Sequence, residues 1–538
     1  MSTARTWTRD GRGTRRGRRV AAWCAAAACL LALARPAVAQ TRDAQGNVID
    51  WPSETPPAPL PAHEVPFPPY EIRTLPNGLQ VVVVQHHEEP AVSMRLIVRA
   101  GSAQDPKGLM GLANLEAALL DQGTPTQTAG QIADSVDSIG GGLDTGAGID
   151  LTYAGVLVMK DSFDFALHLL SSVIRHPVFA QTEIDRQKAQ VLAGLRVSAD
   201  DPSYVADEVF NRLVYGFHPY GLPQEGTPES IARITRQDLQ AFHAAYFAPN
   251  NSILAIVGDV TPAEAFAAAQ AVFGGWASHD VPVGSYPAPP PPTRRVVVIN
   301  KPDAVQTEIR VGNIGVPRQT GDYMALNLAI RVLGGEGSDR LQQVLRTERG
   351  LTYGAEADLD TYALTGDIVA QTNTRSAATA EVLRLIVNEF WRLQEDPVSR
   401  RELDAAKDYM TGSFPLTIET PEQIALQVLN AVFYGLPLKD LQTFRARVNA
   451  VTPDDVQRVA RAYLKPDNLS IVLVGNAAAF VDDLKAAGFG QYDVIDLKDL
   501  DLTAPDLRRP AAAAQAPGAK PGGTPGPVPV AQAGPSAK

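Results

Sequence analysis

After residue 29 the sequence contains no cysteine. Both cysteines, Cys24 and Cys29, fall inside an apolar run that reads as part of an export signal, so the mature chain has neither disulfide nor thiolate chemistry. Cysteine nucleophiles and thiolate metal sites are thereby excluded. Histidine is also scarce. The eight present never recur at i, i+4, the spacing that places two imidazoles on one helix face. Basic charge is in deficit: without residues 1–39, which hold eight Arg and one Asp, 40 basic residues face 58 acidic ones, a formal charge of −18. Such a balance argues against a nucleic-acid partner, and the acidic residues are dispersed, as solubility requires. No apolar run is long enough for a membrane span. VAAWCAAAACLLALA (20–34) is too short and follows an arginine-rich start (Arg15, Arg16, Arg18, Arg19). With AVAQ behind it, the layout predicts a signal peptide over 1–39, cleaved near Ala39, and hence a periplasmic or secreted protein with no membrane anchor. The arginine pairs leave both the general secretory and the twin-arginine routes open.

What is present points to a duplicated globular chain. With 538 residues, 45% of them hydrophobic, there is ample material for more than one core. Residues 40–69 are a Pro-rich lead-in, and PAPPPPTRR (287–295) marks a linker placed at 279–293. Residues 483–538 read as a tail, too poor in apolar bulk to fold from about 508. Two blocks remain, 70–278 and 294–482. ITRQDLQAFHAAYFAPNNSILAIVGDV (234–260) resembles VTPDDVQRVARAYLKPDNLSIVLVGNA (451–477). Tyr246, Pro249, Asn251 and Gly258 match Tyr463, Pro466, Asn468 and Gly475 at a constant offset of 217. LQVVVVQH, VSMRLIVRA and SILAIVGDV predict strands, while SFDFALHLLSSVI and TEIDRQKAQVLAGLRV predict helices. Thr235, with Asp238 three residues on, predicts a helix start. The fold class is α+β: two homologous domains, each a mostly antiparallel sheet with helices packed on one face, joined by the Pro-rich linker.

Several motifs recur in a fixed order: LPNGLQVVV (75–83), RAGS (99–102), a Gly-x-Ala helix closed by Gly-Thr (111–124), GFHPYG (216–221), and LGGEGSDRLQQVLRTERGLTYG (333–354). In this order the chain resembles the pitrilysin/insulinase family of zinc metallopeptidases, in the branch containing mitochondrial processing peptidase. The resemblance covers roughly residues 70–482. It implies a His-x-x-Glu-His helix between the Gly-x-Ala and the Gly-Thr. Two His at i, i+4 hold one zinc there, the intervening Glu serves as general base, and a later helix adds a Glu ligand. Here GLANLEAALLDQGT puts Asn114 and Ala118 at the His positions and Ala117 at the Glu, and VLAGLRVSADDP (191–202) has no Glu. Asn is a poor zinc ligand and Ala none. Glu116 is one step, about 100°, round the helix from the general-base position. His86–His87–Glu88–Glu89 reads as an exposed turn before Pro90, and His176 and His218 as structural residues.

The family's second domain supplies an Arg and a Tyr, spaced Arg-x6-Tyr, that hold the substrate backbone. RTERGLTY gives Arg346 and Tyr353 at that spacing, with Gly350 placed to cap the helix in the left-handed conformation. Read from spacing alone, Arg346 is a solvated helix-end charge and Tyr353 a half-buried strand aromatic. The resemblance assigns them peptide binding and oxyanion stabilisation. GGG (140–142) and GGEG (334–337) are turns, since no Gly-Lys-Ser/Thr follows. An empty metal motif beside an intact pair implies a non-metal-binding, substrate-binding subunit. It would be inactive alone and without a cofactor of its own, completing the chamber of a homologous His-x-x-Glu-His subunit that carries the zinc. The rivals are a non-proteolytic structural or peptide-binding homodimer, and an autonomous peptidase with unrecognised ligands.

Overall fold

In the computed structural model, residues 65–335 and 337–510 are described, and two six-stranded sheets dominate them. The expected signal peptide, most of the lead-in and the chain beyond 510 lie outside the described residues. The first sheet contains β1 (Tyr70–Thr74), β2 (Gln80–Gln85), β3 (Ala91–Val98), β4 (Gly142–Ala147), β5 (Thr152–Met159) and β6 (Ser252–Gly258), in the order β1-β2-β6-β3-β5-β4. The second contains β7 (Arg295–Asn300), β8 (Gln306–Ile314), β9 (Ala355–Thr361), β10 (Gly366–Arg375), β11 (Ser470–Gly475) and β12 (Asp493–Asp496), in the order β12-β7-β11-β8-β10-β9. Five strands correspond one to one, so the sequence repeat is a repeat of topology. Most neighbours are antiparallel; β2–β6, β7–β11 and β7–β12 are parallel.

The outer strand beside β2 precedes the first repeat, whereas the one beside β7 comes after the second. This corrects the boundary placed at residue 482. The second half runs on through a short helix (Val481–Ala486) and β12 to a bridge between Leu500 and Arg508, with Leu507 buried in a core. A four-residue strand reading DVID, with one buried position, carries too little apolar signal to be found without its partner β7.

The N-terminal half supplies α1 (Leu112–Ala117), α2 (Phe163–Arg175), α3 (Gln181–Ser198), α4 (Pro202–Tyr215), α5 (Arg236–Tyr246) and α6 (Pro262–Phe273). The C-terminal half supplies α7 (Tyr323–Gly334), α8 (Thr379–Glu395), α9 (Arg400–Ser413), α10 (Pro421–Phe433) and α11 (Pro453–Tyr463). Thr235 caps α5 as expected: its hydroxyl accepts from the Asp238 N–H while the Asp238 carboxylate accepts from the Thr235 N–H.

Each half packs its own helices on one face of its sheet, α2 and α6 on the first, α7 and α8 on the second. The opposite face takes a helix from the other half. Val205, Val209, Phe210 and Leu213 of α4 pack on Val297, Val369, Val472 and Val474 of the second sheet. Ile424, Ala425, Val428 and Leu429 of α10 pack on Val82, Ile97, Ile253 and Val257 of the first. Strands covered on both faces need no polar alternation, which is why β2 reads VVVV and all seven residues of β6 are buried. Arg95, buried on β3, joins Asp144 of β4 to Glu422 of α10 at 3.2 and 3.4 Å and stacks on Tyr153. Among the described residues no helix is long and apolar enough to cross a membrane.

Candidate functional site

The helix predicted across 111–124 is regular only over Leu112–Ala117. Its start is fixed by Gly111, at φ +87°, where a Cβ would meet the Glu225 carbonyl oxygen at 2.6 Å. The Asp105 carboxylate accepts from the N–H groups of Gly111 (2.7 Å) and Ala113 (2.9 Å), satisfying donors the helix cannot. Beyond Ala117 the chain tightens: the Leu119 N–H donates to Glu116 and the Leu120 N–H to Ala117.

Asn114 directs its amide N–H to the Gln224 carbonyl at 2.6 Å, strapping α1 to the loop before residues 228–233. Ala117 is fully buried. Ala118, half-buried on the Asn114 face, offers its carbonyl to the Gln187 amide of α3. In the 191–202 stretch, α3 shows only Ala193 and Gly194 to solvent before its last turn, and no carboxylate appears until Asp200. One amide and two methyl groups do not fit the donor set of a tetrahedral zinc site.

Sequence reading turned Glu116 away from the general-base position but missed its burial. It is fully buried, and neither carboxylate oxygen has a partner among the described residues. Burial first, then the charge of Asp105, push its pKa well above the ordinary value, and burial brings Asp105 itself to about 7. The signal was available: Leu112 and Leu119 flank Glu116 at i−4 and i+3, and a stripe through apolar neighbours on that face faces a core. His87 pairs with Asp259, and His218 is buried, accepting from the Tyr220 N–H at 3.2 Å as a turn cap.

Arg346 and Tyr353 are brought together. A π-helical turn over Gln342–Glu348 ends at Gly350, at φ +59°, whose N–H donates to the Arg346 carbonyl. The chain doubles back, and the Arg346 guanidinium carbon lies 4.8 Å from the Tyr353 ring centroid. Tyr353 is not on the strand, which starts at Ala355, but in the turn before it, held by the Thr352 hydroxyl donating to the Gly354 carbonyl. Nor is it half-buried: its side chain is 84% exposed, and Arg346 is exposed too. Neither side chain has a hydrogen-bond or ion-pair partner among the described residues, which leaves a fork of N–H donors and a phenol facing solvent.

Beside this pair runs a cleft of about 440 Å³, lined by Asn327, Ile330 and Arg331 of α7, Asp339, Gln342, Gly354, and residues 355–359 of β9. β9 is the last strand of its sheet. The Ala355 N–H turns away from β10 and donates to the Gln342 side chain at 3.2 Å. By the two-residue period of a strand, the N–H and C=O of Ala357 and Leu359 turn the same way, into the cleft. Gly334 closes α7 rather than lying in a turn, and a Cβ on it would come within 2.5 Å of the Ala357 nitrogen. The absence of that Cβ lets the helix end reach the strand.

This architecture agrees with two family profiles. Residues 80–227 match "Insulinase (Peptidase family M16)" and residues 233–410 match "Peptidase M16 inactive domain". The chain belongs to the M16 insulinase family. Similar relatives are an uncharacterised zinc protease of Mycobacterium leprae, 28% identical over 64% of this chain and 78% of its own, and another of Bacillus subtilis, 24% identical over 73% and 95%. Among solved structures, an M16 inactive domain from Pseudomonas fluorescens superposes with a TM-score of 0.72 at 29% identity, covering 76% of this chain and 98% of that one. A protease from Helicobacter pylori shares the fold at a TM-score of 0.70 and 22% identity, over 76% and 99%. M16 membership accounts for the duplicated sheets, while the donor set at 114, 117 and 118 departs from the pattern expected of a metal-binding member.

Proposed function

We propose that this chain is the substrate-binding, non-metal-binding subunit of a two-subunit M16 peptidase exported to the periplasm. The observation that carries the reading is the pairing of a helix unable to ligate zinc with an Arg346–Tyr353 pair whose donors are free. In this reading a homologous subunit bearing His-x-x-Glu-His holds the zinc, which supplies the Lewis acid for peptide hydrolysis. This chain carries no cofactor. An extended peptide lies along the open edge of β9, taking hydrogen bonds from its outward backbone groups. Arg346 and Tyr353 donate to a peptide carbonyl at the end of that groove and stabilise the oxyanion that develops on it. The relatives named zinc proteases support the reaction class; the residues at 114, 117 and 118 support placing the metal in a partner.

The test mixes the purified mature chain with its exported His-x-x-Glu-His homologue. Neither is expected to hydrolyse peptide well alone, and the mixture is expected to be active. A homologue equally active without this chain, or with an Arg346→Ala/Tyr353→Phe variant of it, overturns the proposal. A chain that purifies as a homodimer and never raises activity favours a structural, peptide-binding role.

A further inference from the structure

The wall of the β9 groove carries charge in a fixed register. Glu356, Asp358 and Asp360 occupy alternate positions of β9 and are all exposed. Their cross-strand partners on β10 are Gln371, Val369 and Asp367, and Val369 belongs to the core under α4. The three carboxylates therefore line the α4 side of the edge, while Ala355 and Ala357 point to the α7 side and its core. Helix α4 adds Asp207, whose side chain is 51% exposed. Arg310, the cation paired with Asp207, is buried and already engaged: it donates to Asp207 at 2.6 Å and to the Ser203 hydroxyl at 2.8 Å. The pKa of Asp360 is raised, by desolvation and then by the like charges of Asp358 and Asp207, so these groups sense one another. The rest of the cleft lining is mixed in charge, with Asn327, Ile330, Arg331 and Asp339.

A strand added to this edge sends successive side chains alternately to the two walls. Every second residue then stands beside a carboxylate, at the separation where opposite charges stabilise a sheet and like charges destabilise it. Resting on the peptide-binding reading above, we infer that the β9 groove selects extended peptides with basic residues at alternating positions, i and i+2, facing Glu356 and Asp358. The intervening positions, facing α7, are uncharged. Overall positive charge is not the criterion; its phase is.

The experiment measures fluorescence anisotropy of labelled eight-residue peptides with the full mature chain at low salt. The peptides are alternating Lys-Thr, alternating Gln-Thr, alternating Glu-Thr, and a Lys-Lys-Thr-Thr repeat of the same composition as the first. Lys-Thr is expected to bind roughly tenfold tighter than Gln-Thr and than the out-of-phase repeat, since each cross-strand pair adds roughly a few-fold. Glu-Thr should bind weakest. The preference should vanish in Glu356→Gln/Asp358→Asn, two exposed changes that leave the fold intact, and shrink at high salt. Equal binding of Lys-Thr and Gln-Thr overturns the charge register while leaving the groove as a peptide site. A preference that survives Glu356→Gln/Asp358→Asn places the recognition elsewhere and also overturns it. Binding of none of the peptides removes both the register and the peptide-binding reading.

Discussion

The Tyr215 hydroxyl, at the end of an N-terminal-half helix, donates to the Asp367 carboxylate on a strand of the C-terminal half, at 2.5 Å. Both groups are buried, and desolvation pushes the Asp367 pKa to about 8, with the charge of Asp360 adding to it. A carboxyl of the unfolded chain titrates near 4. Between about pH 4 and 8 the native state therefore binds more protons than the unfolded one, and stability falls as pH rises through that window. Asp105 and Glu208, each brought to about 7 chiefly by burial, act in the same direction. The melting temperature is expected to be higher near pH 5.5 than near pH 8.5. Asp367→Asn, which keeps an acceptor for Tyr215, should flatten the profile and raise the alkaline value. Thermal unfolding followed by circular dichroism checks both, and a profile rising from about pH 5.5 to 8.5 contradicts the assignment.

Glu116 offers a gain in stability. Its oxygens are buried without partners, a situation that costs about 1–3 kcal/mol. Glu116→Leu, similar in size and set among Leu112, Leu115 and Leu119, should raise the unfolding free energy by roughly that amount, read as a higher denaturation midpoint at an unchanged slope. A lowered midpoint would mean that the carboxyl is satisfied in solution.

Writing the metal motif back in should fail. Asn114→His/Ala117→Glu/Ala118→His puts a carboxylate where Ala117 is fully closed off, and breaks the 2.6 Å strap from Asn114 to Gln224. A destabilisation of several kcal/mol, about 3 or more, is expected. With no Glu in 191–202, stoichiometric zinc by elemental analysis is not. Recovery of both zinc and peptidase activity in the isolated chain would show that the vacated helix retained a latent site.

The exposed pair should behave in the opposite way. Arg346 and Tyr353 touch each other and little else, so Arg346→Ala/Tyr353→Phe should shift stability by only about 0.5 kcal/mol. Loss of oxyanion donors is worth about 10²–10³ in kcat. A fall of that size in the reconstituted pair, with an unchanged melting curve, is the expected result. An unchanged kcat removes the pair from the chemistry.

Much of this was legible in the residues, for identifiable reasons. Runs such as VVVV and SILAIVG admit few readings besides buried strands. The matched Tyr, Pro, Asn and Gly sets recur because each closes a helix, makes one 3₁₀ turn and enters the same strand: Pro249–Asn251 before β6, Pro466–Asn468 before β11. Gly350 was readable as a left-handed cap because the helix ahead of it needed one. The exchange of helices was not legible. Periodicity shows that Val205, Val209 and Leu213 seek a core, yet nothing local says that the core belongs to the other half. The cleft was hidden for the same reason, since α7, Gln342 and β9 meet only in three dimensions. Tyr353 was placed on a strand and half-buried because a Thr-Tyr pair before an alternating run has strand propensity, which the Thr352–Gly354 hydrogen bond overrides.

The exchanged helices also set the order of events when the chain folds. Until Pro421–Phe433 is available, one side of the first sheet, with Val82, Ile253 and Val257, has no cover. The first half thus waits on residues far downstream, and its central strands stay sticky throughout that wait. Sequence divides the chain at the Pro-rich linker, but the packing does not. A fragment cut there would hold a complete sheet and aggregate through its bare side, so the chain is bound to mature as one cooperative body.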